Sequence, residues 1–452
     1  MTESRCLQGI WSSPWIFIFA ASGAAIGLGN VWKFPYMMAE NGGAAFLFVY
    51  CLCLLFVALP IVIAEVAIGR TVRSNPIDTV NDLSERRLLH PAWVLAPWLA
   101  GITGVLIMTF YSVIAGWTLA YFERAITGLF TSIGRFEADV MYQDLLDSPV
   151  EMLFWHTLFM MLVILTVGQS VTRGLATLVK VLLPVLITFL FLLAIYAFSV
   201  GDSAEALDFM LVWSWGDFSF DMVLSAIGHA LFSVGVGLGA MFSYGAYMNK
   251  RMSISRACSI VVGLDLLVSL LAVVVIFPLA FEFNIDVDSG PSLAFVTLPI
   301  VFGALPGGQV IGASFFILLA IAALTSAIAM MELFVSWLHE KFYIGRLKAA
   351  SMLGAFIWLV GIAILLSFNH WDAKLLFNKN LFELMDALTS FILLPLVATL
   401  IAVMVGWFVP EKMLRREMIT QAPQHFDWWY KILKFVSIPL IGLITVAGWI
   451  GV

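Results

Sequence analysis

Charge is what this chain has least of. Of its 452 residues only 12% are Asp, Glu, Lys or Arg, about half the share of a soluble domain. A water-exposed surface of ordinary extent is excluded. The formal charge is −6, from 23 Lys and Arg against 29 Asp and Glu, and the chain has no basic tract. Nucleic-acid recognition, which needs clustered cations, is excluded as well. Cysteine is almost missing: Cys6, Cys51, Cys53 and Cys258 lie in or beside apolar runs without metal-ligand spacing. Neither a disulfide framework nor a zinc site is expected. The histidines, at 90, 156, 229, 339, 370 and 425, are scattered and mostly near helix ends. Since no nucleophile, base and metal group converge in the sequence, an enzyme is not expected.

What remains is apolar. Residues of that kind make up 62% of the chain, enough for about ten to twelve spans of roughly 20 residues each. Runs bounded by charge, Gly or Pro predict eleven membrane helices near 12–38, 43–69, 91–124, 153–170, 174–200, 220–249, 255–283, 308–341, 348–368, 381–409 and 430–451. The first run is too long for a secretory signal and has no cleavage site after it, so it is a retained helix. The stretch 291-PSLAFVTLPIVFGALPGG-308, interrupted by Pro299 and Pro306, reads as a loop lying on the protein.

Orientation follows from the cations in the connections. With the N-terminus inside, eighteen Lys and Arg fall on the cytoplasmic side, whereas only Arg124, Arg135, Lys374 and Lys379 fall outside, where loops such as 202-DSAEALDFM-210 are acidic. The asymmetry predicts a cytoplasmic N-terminus and an outer C-terminus. Short termini and the lack of a large outer domain point to a multi-pass protein of a prokaryotic inner (plasma) membrane.

Two helices carry clustered glycine at mid-membrane depth, 22-SGAAIGLGN-30 and 233-SVGVGLGAM-241. Small residues also serve close helix packing, but these two helices open two five-helix halves. Paired Gly-interrupted segments in corresponding halves mark the binding site of an inverted-repeat transporter. The chain is therefore expected to be a single all-α transmembrane domain over 1–452, with repeat one at about 12–200, repeat two at about 220–409 and an extra helix at about 430–451. Lipid cannot satisfy the main-chain groups that a break frees, so a break persists only where ions, water or substrate complete the bonding. The polar residues beside the predicted breaks are Asn30, Ser233, Asp265, Thr325 and Ser326. Such oxygen ligands suit a hard cation such as sodium, not zinc or copper.

The motifs 23-GAAIGLGNVWKFPY-36 and 40-ENGGAAFLFVY-50 resemble the signature of the neurotransmitter:sodium symporter family. The likeness continues through Glu65, 68-IGR-70, Tyr111, 116-GWT-118, 232-FSVGVGLGAMFSYGAY-247 and 322-AALTSA-327, and so covers essentially the whole chain. It implies the LeuT fold of that family, with broken helices 1 and 6. It also implies two sodium ions. One would be held by Ala25, Asn30, Ser233 and Asp265 with the substrate carboxylate, the other by Gly23, Ile26, Ala322, Thr325 and Ser326.

An amino-acid substrate would be bound by Ala25, Gly27, Leu28, Gly29, Ile107, Tyr111, Phe232, Gly235, Leu238, Ser326 and Met330. Gly27 stands where monoamine carriers of the family have Asp, which favours a substrate with its own carboxylate. The pocket, lacking charge, suits a hydrophobic or aromatic L-amino acid. Asp265 replaces an Asn of animal members that require chloride, so chloride independence is expected, with Tyr50, Ser233, Ser269 and His229 nearby. Tyr111 and Phe232 resemble the aromatic lid, and Lys33 with Asp386 the outer charged pair. Trp11, Tyr247 and Glu340 resemble the cytoplasmic closure. The N-terminal Arg of that closure is out of register: Gln8 holds its place and Arg5 lies one turn earlier. Gly174 and Pro184 reproduce a spacing that permits the inner end of helix five to unwind, and Glu65 is expected to bond freed backbone. Sodium-coupled import by alternating access is the leading reading; a non-transporting sodium and amino-acid sensor and a betaine-like osmolyte symporter are the alternatives.

Overall fold

The computed structural model describes residues 11, 13–169, 174–213, 218–284, 292–371, 379–418 and 423–451. The helices in chain order are α1 (Pro14–Ala25), α2 (Gly29–Glu40), α3 (Ala44–Val72), α4 (Pro76–Glu85), α5 (Pro91–Ile126), α6 (Arg135–Leu146), α7 (Pro149–Val167), α8 (Gly174–Val200) and α9 (Ser203–Leu211). They continue as α10 (Phe220–Val234), α11 (Ala240–Tyr247), α12 (Ile254–Glu282), α13 (Ser292–Ala304), α14 (Gly308–Phe342), α15 (Arg346–Leu366), α16 (Leu381–Phe408), α17 (Glu411–Glu417) and α18 (His425–Val446). Among the described residues nine helices are long and apolar enough to cross a bilayer, and the bent pair α1 and α2 makes a tenth crossing. The remaining expected span, 220–249, is divided into α10 and α11.

Both interruptions fall on the glycine clusters. Between α1 and α2 the chain leaves helical geometry at Ile26, with φ −74° and ψ 110°, and the two halves diverge by 49°. Between α10 and α11 the glycines at 235, 237 and 239 have φ of 73°, 79° and 70°, a left-handed region that side chains resist. The first turn of α2, Gly29–Lys33, is wound as π-helix, a form common beside functional sites.

Two groups of helices result. The helices α1, α2, α3, α10, α11 and α12 pack on one another, while α5, α7, α14 and α15 pack mutually as a second body; α8 lies against α1 and α12. The stretch read as a loop is a helix: α13 packs on α6, α12 and α14 with Pro299 inside it. Its buried face, Leu293, Phe295, Val296, Leu298 and Phe302, offsets the one hydrogen bond the proline forgoes. The connecting helices α4, α6, α9 and α17 escape a search for apolar runs because they are short and polar on one side. Cys51, Cys53 and Cys258 are free thiols.

Candidate functional site

The freed main chain of the first break is bonded by two side chains. The Gly27 amide donates to Asn30 Oδ1 at 2.9 Å and the Leu28 amide to the Tyr111 hydroxyl at 3.4 Å. Asn30 in turn donates through Nδ2 to Asp265 Oδ1 (2.7 Å), the Asp265 carbonyl (3.2 Å), Ser233 Oγ (3.2 Å) and Ser269 Oγ (2.9 Å). Ser233 Oγ donates to both Asp265 carboxylate oxygens at 2.9 Å. Asn30, Asp265 and Ser269 are fully buried. A carboxylate inside a helix bundle is costly without a compensating charge, and this cluster of oxygens around it is the donor set that suits a monovalent hard cation.

At the second break the Gly237 amide donates to Glu65 Oε1 at 2.8 Å. Glu65 therefore bonds backbone that the glycine turn leaves without a helical partner.

A second oxygen cluster joins α1 to α14. Thr325 Oγ1 reaches the Gly23 carbonyl at 2.6 Å and the Ala322 carbonyl at 2.8 Å. Ser326 Oγ lies 3.4 Å from the carbonyls of Gly23, Ile26 and Ala322. Bonding to its own helix is ordinary for Thr; bonding across to α1 is not, and it gathers five oxygens from two helix bodies. Next to it an apolar cavity is lined by Val179, Leu182, Leu183 and Leu186 of α8.

Between the two clusters lies a cavity lined by Ala24, Ala25, Gly27, Gly29, Ile107, Tyr111, Phe232, Ser233, Gly235, Leu238, Ser326 and Met330. No charged side chain lines it. Ten of the eleven residues expected there do so; Leu28 turns its amide to Tyr111 instead. Ala24 and Ser233 are additions that the sequence reading did not assign to the pocket. A Cβ on Gly27 would stand 2.6 Å from Ser326 Oγ and 2.8 Å from Tyr111 Oη, so only glycine leaves this corner open.

On the side away from the start of α1, Lys33 Nζ bonds Asp386 at 2.6 and 2.9 Å and Ser390 Oγ at 3.2 Å. The same ammonium lies 4.6 Å from the centroid of Phe232, tying the charged pair to the aromatic roof of the cavity. At the opposite end Trp11 packs edge-on against Tyr244 and Tyr247, each at 6.1 Å, and its amide donates to the Tyr247 carbonyl at 3.0 Å. Glu340, expected to act with them, accepts from Asn75 at 2.5 Å, while the Tyr247 hydroxyl donates to Glu332 at 3.1 Å. Glu332 escaped the sequence reading, because its partner Arg346 is known only once the chain has turned. Gly174 opens α8 and Pro184 lies inside it; Arg5 and Gln8 fall outside the described residues. His229 is stacked on Phe34 at 5.5 Å.

Two helices broken at glycine clusters, with two oxygen clusters beside a cavity free of charged side chains, are the arrangement of a sodium-coupled secondary transporter. The model of the sodium:neurotransmitter symporter family matches residues 8–132 and 141–450. An uncharacterised sodium-dependent transporter, YhdH, of Bacillus subtilis is 32% identical, covering 100% of this chain and 99% of that protein. A second, from Haemophilus influenzae, is 30% identical over 98% of both. The crystal structure of MhsT in complex with L-phenylalanine has a TM-score of 0.92 and 34% identity, covering 98% of this chain and 100% of that one. The chain belongs to the sodium:neurotransmitter symporter family. It is a multi-pass membrane symporter of LeuT fold, not an enzyme, and its transport is coupled to sodium.

Proposed function

We propose that the protein imports a hydrophobic or aromatic L-amino acid together with two sodium ions, without need of chloride, across a prokaryotic inner membrane. The observation that carries the reading is the cavity itself: polar only where the broken helix ends, apolar elsewhere, and free of charged side chains. An amino acid fits that division. Its carboxylate would meet the Tyr111 hydroxyl and the N-terminal end of α2, where helix amides carry partial positive charge. Its side chain would lie against Ile107, Phe232, Leu238 and Met330. A lysine, arginine, aspartate or glutamate side chain would find no counter-charge there. The MhsT structure, similar over the full chain and holding phenylalanine, supports the same class. A quaternary ammonium would want an aromatic box, and Tyr111 and Phe232 alone do not make one.

The first ion would sit among Ala25, Asn30, Ser233 and Asp265, and the substrate carboxylate would complete its shell, so that ion and cargo bind as one. The second would join the carbonyls of Gly23, Ile26 and Ala322 to Thr325 and Ser326, and hold α1 against α14. Asp265 then provides the negative charge that a chloride ion would otherwise bring. With a zwitterion and two sodium ions, each 100 mV of membrane potential contributes roughly 4.6 kcal/mol, about a thousandfold accumulation.

The test is uptake of labelled phenylalanine into proteoliposomes holding the purified full chain. Uptake is expected to need inward-directed sodium, to survive replacement of chloride by gluconate, and to be competed by leucine, tyrosine and tryptophan but not by lysine or glutamate. Binding without accumulation would instead identify a sensor, and competition by betaine alone an osmolyte carrier.

A further inference from the structure

On the outside of the bundle, away from the cavity and both oxygen clusters, a groove lies between the start of α1 and the start of α12. Its walls include Trp15 and Ile18 of the first helix and Arg251, Ser253, Arg256 and Ile260 at and just before the second. Both arginines are exposed, and no carboxylate lines the groove. Among the described residues neither guanidinium has an ion pair, whereas Arg70, Arg124 and Arg346 each have one.

Two helices also begin here. Ser253 caps α12 by accepting from the Arg256 amide at 3.4 Å, and α1 starts at Pro14 with no side-chain cap. Helix N-termini carry partial positive charge, so two cations and two helix ends meet at the mouth of the groove with no opposing charge. An anion is what such a mouth attracts.

Beyond the mouth the surface is apolar. Arg256, Ile260, Gly263 and Leu267 follow one another at steps of four, three and four residues, which places them on one face of α12. Gly263 and Leu267 are exposed, and a Cβ on Gly263 would meet nothing within 4 Å. Because α12 crosses the bilayer, this open face looks onto lipid. From Arg256 to Leu267 the helix rises about 16 Å, close to half of the roughly 30 Å hydrocarbon core. Trp15, 59% exposed on the opposite wall, is of the residue type that sits at headgroup level.

We infer that this groove holds one anionic phospholipid, its phosphate between Arg251 and Arg256 and one acyl chain along Ile260, Gly263 and Leu267. A phosphate ion in solution shares the headgroup chemistry but has no use for the apolar stripe. A zwitterionic lipid brings a further cation to a mouth that already has two. The bound lipid joins the half-helix α1, which ends at the first break, to the unbroken α12.

The test is a thermal-midpoint titration of the delipidated full-length protein in detergent with dioleoyl phosphatidylglycerol, dioleoyl phosphatidylcholine or inorganic phosphate. Ionic strength is held constant, since exposed charges are screened by salt. Native mass spectra of the same lipid-titrated samples count the bound molecules. The phosphatidylglycerol is expected to half-saturate at about a tenfold lower concentration than the phosphatidylcholine, with one molecule retained per chain, and inorganic phosphate is expected to give no shift. Each cation facing an anionic lipid is worth roughly fivefold in binding. The double variant Arg251→Gln/Arg256→Gln should therefore need about 25-fold more phosphatidylglycerol, and Arg256→Lys should stay near the parent. Lys412→Gln/Arg416→Gln, an equal change of charge at exposed positions outside the groove, should stay within about twofold. An equal response to the two lipids, or an equal loss in the two double variants, would overturn the site. Stabilisation by inorganic phosphate as strong as by the lipid would overturn the lipid as its occupant.

Discussion

Single side chains shape the candidate pocket and the oxygen cluster beside it. Gly27 is the clearest case, since a methyl there would meet Ser326 Oγ and Tyr111 Oη at 2.6 and 2.8 Å. Overpacking of this kind costs about 1–3 kcal/mol, so Gly27→Ala is expected to weaken equilibrium binding of labelled phenylalanine by about tenfold or more while the protein stays folded. Asp265 is the second. Its carboxylate accepts from Asn30 and from Ser233, and its replacement by Asn removes the charge but keeps the shape. Asp265→Asn should lose uptake by about tenfold in gluconate medium and regain part of it in chloride; equal uptake in both media would contradict the charge-substitution reading. Both residues were legible in the sequence, because an isolated acid and a missing side chain in an apolar helix stand out without coordinates. Glu332 and Arg346 were not: fourteen positions apart and separated by a turn, they meet only because α15 folds back on α14.

Helices here are defined as much by where they stop as by what they bury. The glycine clusters at 27–29 and 235–239 disclosed both breaks, since clustered glycine weakens helix in a place where helix is otherwise obligatory. At Gly237 φ is 79° and a Cβ would approach the Leu394 carbonyl at 3.1 Å. The left-handed penalty alone is about 1–2 kcal/mol, and Gly237→Ala also disturbs the amide that Glu65 receives. The expected result is a thermal midpoint lowered by several degrees together with loss of sodium-dependent stabilisation, seen in detergent melts with and without sodium. The reading failed at α13 for a related reason. Proline and glycine at 299, 306 and 307 punctuate the stretch as a loop would, but a proline within a short, well-packed helix forfeits only one bond. The amphipathic connectors α4, α6, α9 and α17 were overlooked because membrane spans announce themselves by continuous hydropathy, and short surface helices do not.

For the whole molecule, the division into two packed groups puts the oxygen cluster between α1 and α14 on the seam between them, so that on the proposed reading ion and cargo would bind where the bodies part. Composition made the membrane class plain and the motif order made the fold plain, whereas the contacts that hold the seam shut depend on distances no sequence contains. One of them has a bearing on ion choice. Thr325 Oγ1 stands only 2.6 Å from the Gly23 carbonyl, so α1 and α14 already touch at the second oxygen cluster. On the proposed reading, a cation entering here would have to turn the hydroxyl hydrogens aside and slip between the two walls, and the wider the ion, the farther it would wedge them apart. The seam would then work as a caliper. Lithium should therefore be tolerated and potassium rejected, which thermal shifts measured at equal ionic strength in lithium, sodium and potassium chloride will grade by ionic radius.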